Sequence, residues 1–227
     1  MNKVEIIIVV EGQTEQTFVR DVLAPYMGYQ GVSLHASLIG KPGHKGGDIR
    51  FDRAKVDISA YLKQRNDTYV STMFDCFRIN KEWPGLKSIQ RKTLTIEQKA
   101  KIVEDAMMKE IINEFPQCNP EKRFIPYIQM HEFEALLFSD LNILAERAEI
   151  DLPRIQAILN EYDNPEEIND DPVKAPSKQL ETLNPSYRKV AQGKVISEAI
   201  GIQNIRAKCP HFHNWLMKFE LLLSKKP

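Results

Sequence analysis

Cysteine is scarce in this chain: Cys76, Cys118 and Cys209 are the three in 227 residues. They are far apart and in no paired metal-ligand spacing, which excludes a disulfide framework and a cysteine-bound zinc site and suits a reducing compartment. Net charge is absent too, with 31 basic residues against 31 acidic. No global field therefore points to nucleic acid or lipid, and any such binding has to rest on a local patch. No apolar run approaches the length of a membrane span. Met1-Asn2-Lys3 leads straight into a strand pattern, without the length or the small-residue cleavage site of a signal peptide. A cytoplasmic protein is expected. There is no internal repeat or low-complexity tract, no Walker or dinucleotide-binding glycine pattern, and no His-Glu-x-x-His pair.

What is present begins with Val4-Glu5-Ile6-Ile7-Ile8-Val9-Val10-Glu11-Gly12-Gln13-Thr14-Glu15. A run that apolar reads as a strand buried on both faces, and it ends in a carboxylate, a glycine, a hydroxyl and a second carboxylate at the start of a helix. That helix spans about residues 14 to 26, with Phe18, Val19, Val22 and Leu23 on one face. A second strand is expected from Val32 to Ile39, then a basic, glycine-rich loop from Gly40 to Asp48. Helical spacing follows between Ile49 and Arg65. A third strand, Thr68 to Phe74, ends at Asp75 and turns into Trp83-Pro84-Gly85. Residues 94 to 114 read as a helix opening on Thr95 and Glu97. A fourth strand, Arg123 to Gln129, breaks into His131-Glu132-Phe133-Glu134 and an apolar helix.

Alternating strands and helices predict an α/β fold with a mostly parallel four-stranded sheet, whose right-handed crossovers bring the carboxyl ends of the strands to one edge. After about residue 150 only helical patterns remain: Leu152 to Tyr162, Ser177 to Leu183, Tyr187 to Ile200 and Pro210 to Ser224. The expected organisation is an α/β domain over 1–150 with a helical C-terminal lobe, 151–227, packed on it. The acidic, proline-punctuated stretch Asp163 to Pro172 within that lobe reads as a solvated connector.

In open α/β sheets ligands bind at the carboxyl edge of the strands, and three of the four strands end in acid. Glu11, Glu15, Asp75, Glu132 and Glu134 are therefore candidate ligands of Mg²⁺ or Mn²⁺, because a hard cation needs carboxylates from separate strands. Each has a plainer explanation alone. Glu11 and Glu15 suit a helix N-terminus, and Asp75 suits a turn; the recurrence favours the shared site. Spacing leaves open which of Glu132 and Glu134 faces that site, and whether His131 beside them transfers protons. Lys41, His44 and Lys45 in the glycine-rich loop, with Lys178, Arg188 and Arg206 at C-terminal helix starts, are candidate phosphate contacts. Trp215, Leu216, Phe219 and Leu222 have helical spacing and suit a core better than a base-stacking platform.

As a set, Val9 to Glu15, Thr72-Met73-Phe74-Asp75 with Trp83-Pro84-Gly85, His131 to Asp140, Ala175-Pro176-Ser177-Lys178 and Ile205 to Trp215 resemble the TOPRIM-like family catalogued as domain of unknown function 4276. The wider TOPRIM fold is shared by topoisomerases, bacterial primases and nucleases of the overcoming-lysogenisation-defect (OLD) type. It carries a glutamate after its first strand and an Asp-x-Asp after a later one. The resemblance implies an acid/base or metal-linked role for Glu11 and a ligand role for Asp75, with Phe77 where the second aspartate would stand. It also implies a partner ATPase of the AAA or ABC type in bacterial defence loci. The leading expectation is a Mg²⁺-dependent nuclease on DNA or RNA, with Glu11, Asp75 and Glu132 or Glu134 around the metal. A catalytically silent module that binds an ATPase or nucleic acid is the alternative, ahead of an enzyme of small phosphorylated metabolites.

Overall fold

The structure is a computed structural model that describes residues 4–40, 49–76, 79–90, 93–168 and 174–224. Phe77 and the loop residues Lys41, His44 and Lys45 lie outside the described residues.

Strand β1 (Val4–Val10) is the β-branched run expected to be buried on both faces. It pairs in parallel with β2 (Val32–Leu38) on one side and β3 (Thr68–Asp75) on the other. Beyond β3 lie two short strands, β4 (Phe124–Ile125) and β5 (Ile128–Gln129), which pair in parallel with its early and late residues, giving the order β2-β1-β3-β4. The expected single strand from Arg123 to Gln129 is thus split, and Pro126 supplies the reason, since it has no N–H for a ladder. Side chains of β3 take over at the gap. Ser71 Oγ donates to the Ile125 carbonyl at 2.6 Å. Thr72 Oγ1 donates to the Tyr127 carbonyl at 2.8 Å and accepts from its N–H at 2.9 Å.

The first crossover is α1 (Gln13–Phe18), a π-helical turn over Val19–Leu23, and α2 (Ala24–Tyr29), wound as one rod. Pro25 explains the wide turn: it has no N–H and its ring crowds the preceding turn, strain that a π-bulge relieves. The second crossover is α3 (Phe51–Gln64). After β3 come the single turn α4 (Leu86–Ile89), then α5 (Ile96–Glu114), whose capping box pairs Thr95 with Gln98 rather than with Glu97, and the turn α6 (Pro120–Arg123). Trp83 packs edge-on against Phe51 and Phe74. Gly85 sits at φ +79°, where an added Cβ would come within 2.8 Å of the Ile102 carbonyl. The Trp83-Pro84-Gly85 motif therefore docks its loop on α5, and only glycine fits the closest point.

Phe133–Ser139, expected as an α-helix, is a fully buried 3₁₀ segment. A run apolar on every side carries no periodicity to separate the two windings. The C-terminal helices are α7 (Leu141–Ala148), α8 (Leu152–Leu159), α9 (Pro176–Leu183), α10 (Lys189–Ile200), α11 (Ile202–Lys208) and α12 (Pro210–Ser224). The fold is an α/β one, a mostly parallel sheet flanked by helices with a helical C-terminal region.

Two apolar cores lie on the two faces of the sheet. One joins Val4, Ile6, Ile8 and Val10 of β1 to α1, the 3₁₀ segment and the C-terminal helices; the other joins Val9, Val70 and Phe74 to α3, Trp83 and α5. Trp215, Leu216, Phe219 and Leu222 of α12 are buried in the first, as their spacing suggested. Trp215 stacks on Tyr127 at 4.2 Å and donates its indole N–H to Ser71 Oγ at 2.9 Å. Helix α12 thereby stabilises the strand interruption at Pro126. No helix among the described residues is long and apolar enough to cross a membrane.

Candidate functional site

Glu11 follows the last residue of β1 and Asp75 is the last residue of the adjacent β3, so parallel pairing brings both to the carboxyl edge. The Asp75 N–H donates to Glu11 Oε2 at 3.4 Å. Glu15 sits in the first turn of α1, its carboxylate accepting the Gly12 N–H at 3.0 Å, so it caps its helix and adds charge to the same edge. Strand β5 pairs with the end of β3, Asp75 opposite Gln129, and the chain then delivers Glu132 and Glu134. All five carboxylates are buried.

Their electrostatics show the convergence. Burial, followed by the charges of Glu15, Glu11, Glu134 and Glu132, pushes the Asp75 carboxyl well above the usual range. Glu134 is pushed up to about 7, by burial first and then by Glu132 and Glu15, against the pull of Lys189. For Glu132 burial works in the same direction, but the Lys189 charge and Ser177 outweigh it and hold the carboxyl below its ordinary value.

Glu132 and Glu134 differ in their partners. Glu132 Oε2 accepts the Ser177 N–H of α9 at 3.0 Å, and its Oε1 meets Lys189 Nζ of α10 at 3.1 Å. Both oxygens are held by the C-terminal helices. Glu134 shares Lys189 through Oε2 at 3.4 Å, while its Oε1, like Asp75 Oδ1, is buried without a hydrogen-bond partner. Buried polar atoms are nearly always paired, so two unpaired carboxylate oxygens in one acidic cluster mark coordinating capacity. Tyr187 adds an unpartnered buried hydroxyl, and the charges of Glu134 and Glu132, after burial, help keep that phenol protonated.

The donor set is all oxygen, as Mg²⁺ or Mn²⁺ requires. Among the described residues no group of three or more His, Cys, Asp or Glu side chains is arranged to hold a metal ion. The residues fit a cation held by one or two carboxylates, the Mg²⁺ habit, with Asp75 and Glu134 offering the unpaired atoms.

Of the expected basic contacts, the three among the described residues each make other bonds. Lys178 pairs with Glu181 of its own helix at 2.7 Å, and Arg188 donates to the Pro185 and Tyr187 carbonyls. Arg206 is bidentate to Glu220 and reaches Tyr26 and His213. His131 lines a separate surface cleft with Thr95, Lys99, Tyr162 and Glu167. The helix starts Ala175-Pro176-Ser177-Lys178 and Tyr187-Arg188-Lys189 read in sequence as a basic wall facing the acids, with Lys178 and Arg188 taken as the contacts. It is instead Ser177 and Lys189 of these segments that meet Glu132.

A parallel α/β sheet carrying a buried acid cluster at its carboxyl edge defines the class of protein. The chain belongs to the family described as domain of unknown function DUF4276, which it matches over residues 10–220. Among solved structures, the C-terminal region of the Xanthomonas campestris pv. campestris OLD protein is similar at 13% identity, over 95% of this chain and 96% of that one, with a TM-score of 0.35. That likeness is too distant to speak of function. Nothing among curated proteins matches the chain.

Proposed function

We propose that this chain is a Mg²⁺- or Mn²⁺-dependent nuclease that cleaves phosphodiester bonds of DNA or RNA, in a bacterial defence setting beside a partner ATPase. The observation that carries the reading is the pair of unpartnered buried oxygens, Asp75 Oδ1 and Glu134 Oε1, in a cluster of five acids. A bound divalent ion supplies Lewis-acid polarisation of a phosphodiester. Asp75 and Glu134 would hold it, with Glu11 beside them and fixed in place by the Asp75 N–H. Without metal, burial pushes Glu134 up to about 7, so binding of the ion there would release its proton near neutral pH. Glu132 positions α9 and α10 against the site through Ser177 and Lys189, and Glu15 contributes charge while capping α1.

The test is incubation of purified protein with plasmid, single-stranded DNA and RNA in Mg²⁺ or Mn²⁺, beside Glu11→Gln and Asp75→Asn. Metal-dependent cleavage that both variants lose supports the reading. Equal cleavage by all three proteins, or none with any metal, sinks it. Phe77, standing where the resemblance places a second aspartate, favours the alternative of a silent module that binds an ATPase or nucleic acid. Such a module would take up no Mn²⁺ in a carboxylate-dependent way.

A further inference from the structure

We propose that the Lys189 ammonium is a resident counter-ion that competes with the divalent cation for Glu134, so that loading the site displaces it. The proposal rests on reading the acid cluster as a divalent-cation centre. Nζ lies 3.1 Å from Glu132 Oε1 and 3.4 Å from Glu134 Oε2, and the Lys189 side chain is 25% exposed while the two glutamates are almost fully enclosed. Buried carboxylates need a compensating charge, and this ammonium provides part of it from the rim of the site.

The geometry gives the competition a direction. Helix α10 is packed closely against its neighbours: a Cβ on Gly193 would stand 3.1 Å from the Phe133 ring and 3.7 Å from Thr14, so its backbone stays in place. The lysine stem is flexible and its head is partly in solvent, so Nζ is the part that moves. Glu132 keeps the Ser177 N–H when Nζ departs. Glu134 instead gains a second available oxygen, Oε2, beside the unpartnered Oε1, and becomes a two-oxygen donor. A divalent cation and an ammonium that share one carboxylate repel each other, strongly so in a buried site.

Calorimetric titration of metal-free protein with Mn²⁺ tests this, beside Lys189→Met, Lys189→Arg and a double variant carrying Asp75→Asn and Glu134→Gln. Lys189→Met should bind Mn²⁺ about tenfold more tightly than wild type. Its metal-free form should melt lower and gain more from Mn²⁺, and Lys189→Arg should stay near wild type. Equal or weaker binding by a folded Lys189→Met overturns the proposal. Undiminished Mn²⁺ binding by the double variant overturns instead the reading of the cluster as a cation centre. If Lys189→Met does not fold, acetylation of Lys189 in the wild type by an amine-directed ester is followed by mass spectrometry. Faster modification in Mn²⁺ supports displacement; unchanged or slower modification refutes it.

Discussion

The molecule buries two clusters of acids and treats them in opposite ways. At the carboxyl edge of the sheet, Glu11, Glu15, Asp75, Glu132 and Glu134 are crowded together and two of their oxygens have no partner. Around α5 and α12, Glu104 and Glu166 are buried just as deeply, yet their carboxylates are hydrogen-bonded by the fold, although burial still raises the Glu166 carboxyl above its ordinary value. Glu104 accepts the Ile128 N–H, pairs with His211 at 3.2 Å and reaches Lys218 at 3.3 Å. Glu166 accepts the N–H groups of His211 and Phe212 at 2.8 and 2.9 Å, capping α12. His211 also bonds the Ile128 carbonyl and stacks on Tyr127. Burial alone therefore does not mark a functional acid; the distinction lies in whether the folded chain satisfies it. One cluster is a fastening, and the other is left incomplete by the protein itself.

The comparison can be broken most directly by activity. Asp75→Asn should reduce metal-dependent cleavage at least about 100-fold, while Glu166→Gln should leave it nearly intact, both read in a plasmid-nicking assay. Stability gives the next largest contrast. Glu104→Ala strands His211 at a buried position and should cost about 3 kcal/mol in urea unfolding. Glu166→Ala removes the α12 cap and should cost about 2 kcal/mol.

At the site the sign should reverse. Asp75→Asn relieves crowded like charges and should raise metal-free stability by about 1 kcal/mol, measured the same way. A loss of stability there would erase the distinction between the two clusters.

The finest contrast is in pH. Glu134 has a folded value of about 7 against an ordinary 4.5, so the folded state binds the extra proton. Its contribution is fully present below pH 4.5 and is lost as pH rises through 7. For His211, burial opposes the charge but the Glu104 hydrogen bond and charge outweigh it, raising the folded value above 6.5. Its contribution is present below pH 6.5 and is lost above that raised value. Melting curves of metal-free protein should therefore show Glu134→Gln flattening the decline between pH 4.5 and 7. Saturating Mn²⁺ should do the same for the wild type, while His211→Gln alters only the more alkaline part.

Much of this was legible in the chain because it lives in local pattern. The apolar run into Glu11, the strand ending at Asp75 and the proline-started α12 are each visible in a few residues, and parallel connectivity then placed the acids at one edge. Less legible were features set by distant partners. The stretch around Glu166 reads as a solvated connector, acidic and rich in proline, but Glu166 is buried under α12 because the helix N-terminus at His211 and Phe212 needs an acceptor. The fourth strand reads as continuous because Ser71, Thr72 and Trp215, which accommodate the break at Pro126, lie far away in sequence. Lys189 and Arg188 are equivalent on paper, and only the folded helix shows that the lysine meets Glu132 and Glu134 while the arginine bonds the Pro185 and Tyr187 carbonyls.

That arrangement has a consequence for synthesis. The five acids occupy positions 11 to 134, whereas the N–H and the ammonium that hold Glu132 come from positions 177 and 189. In a chain made in order the negative charges precede these contacts, so Glu132 gains its hydrogen bond and counter-charge only once α9 and α10 have been synthesised.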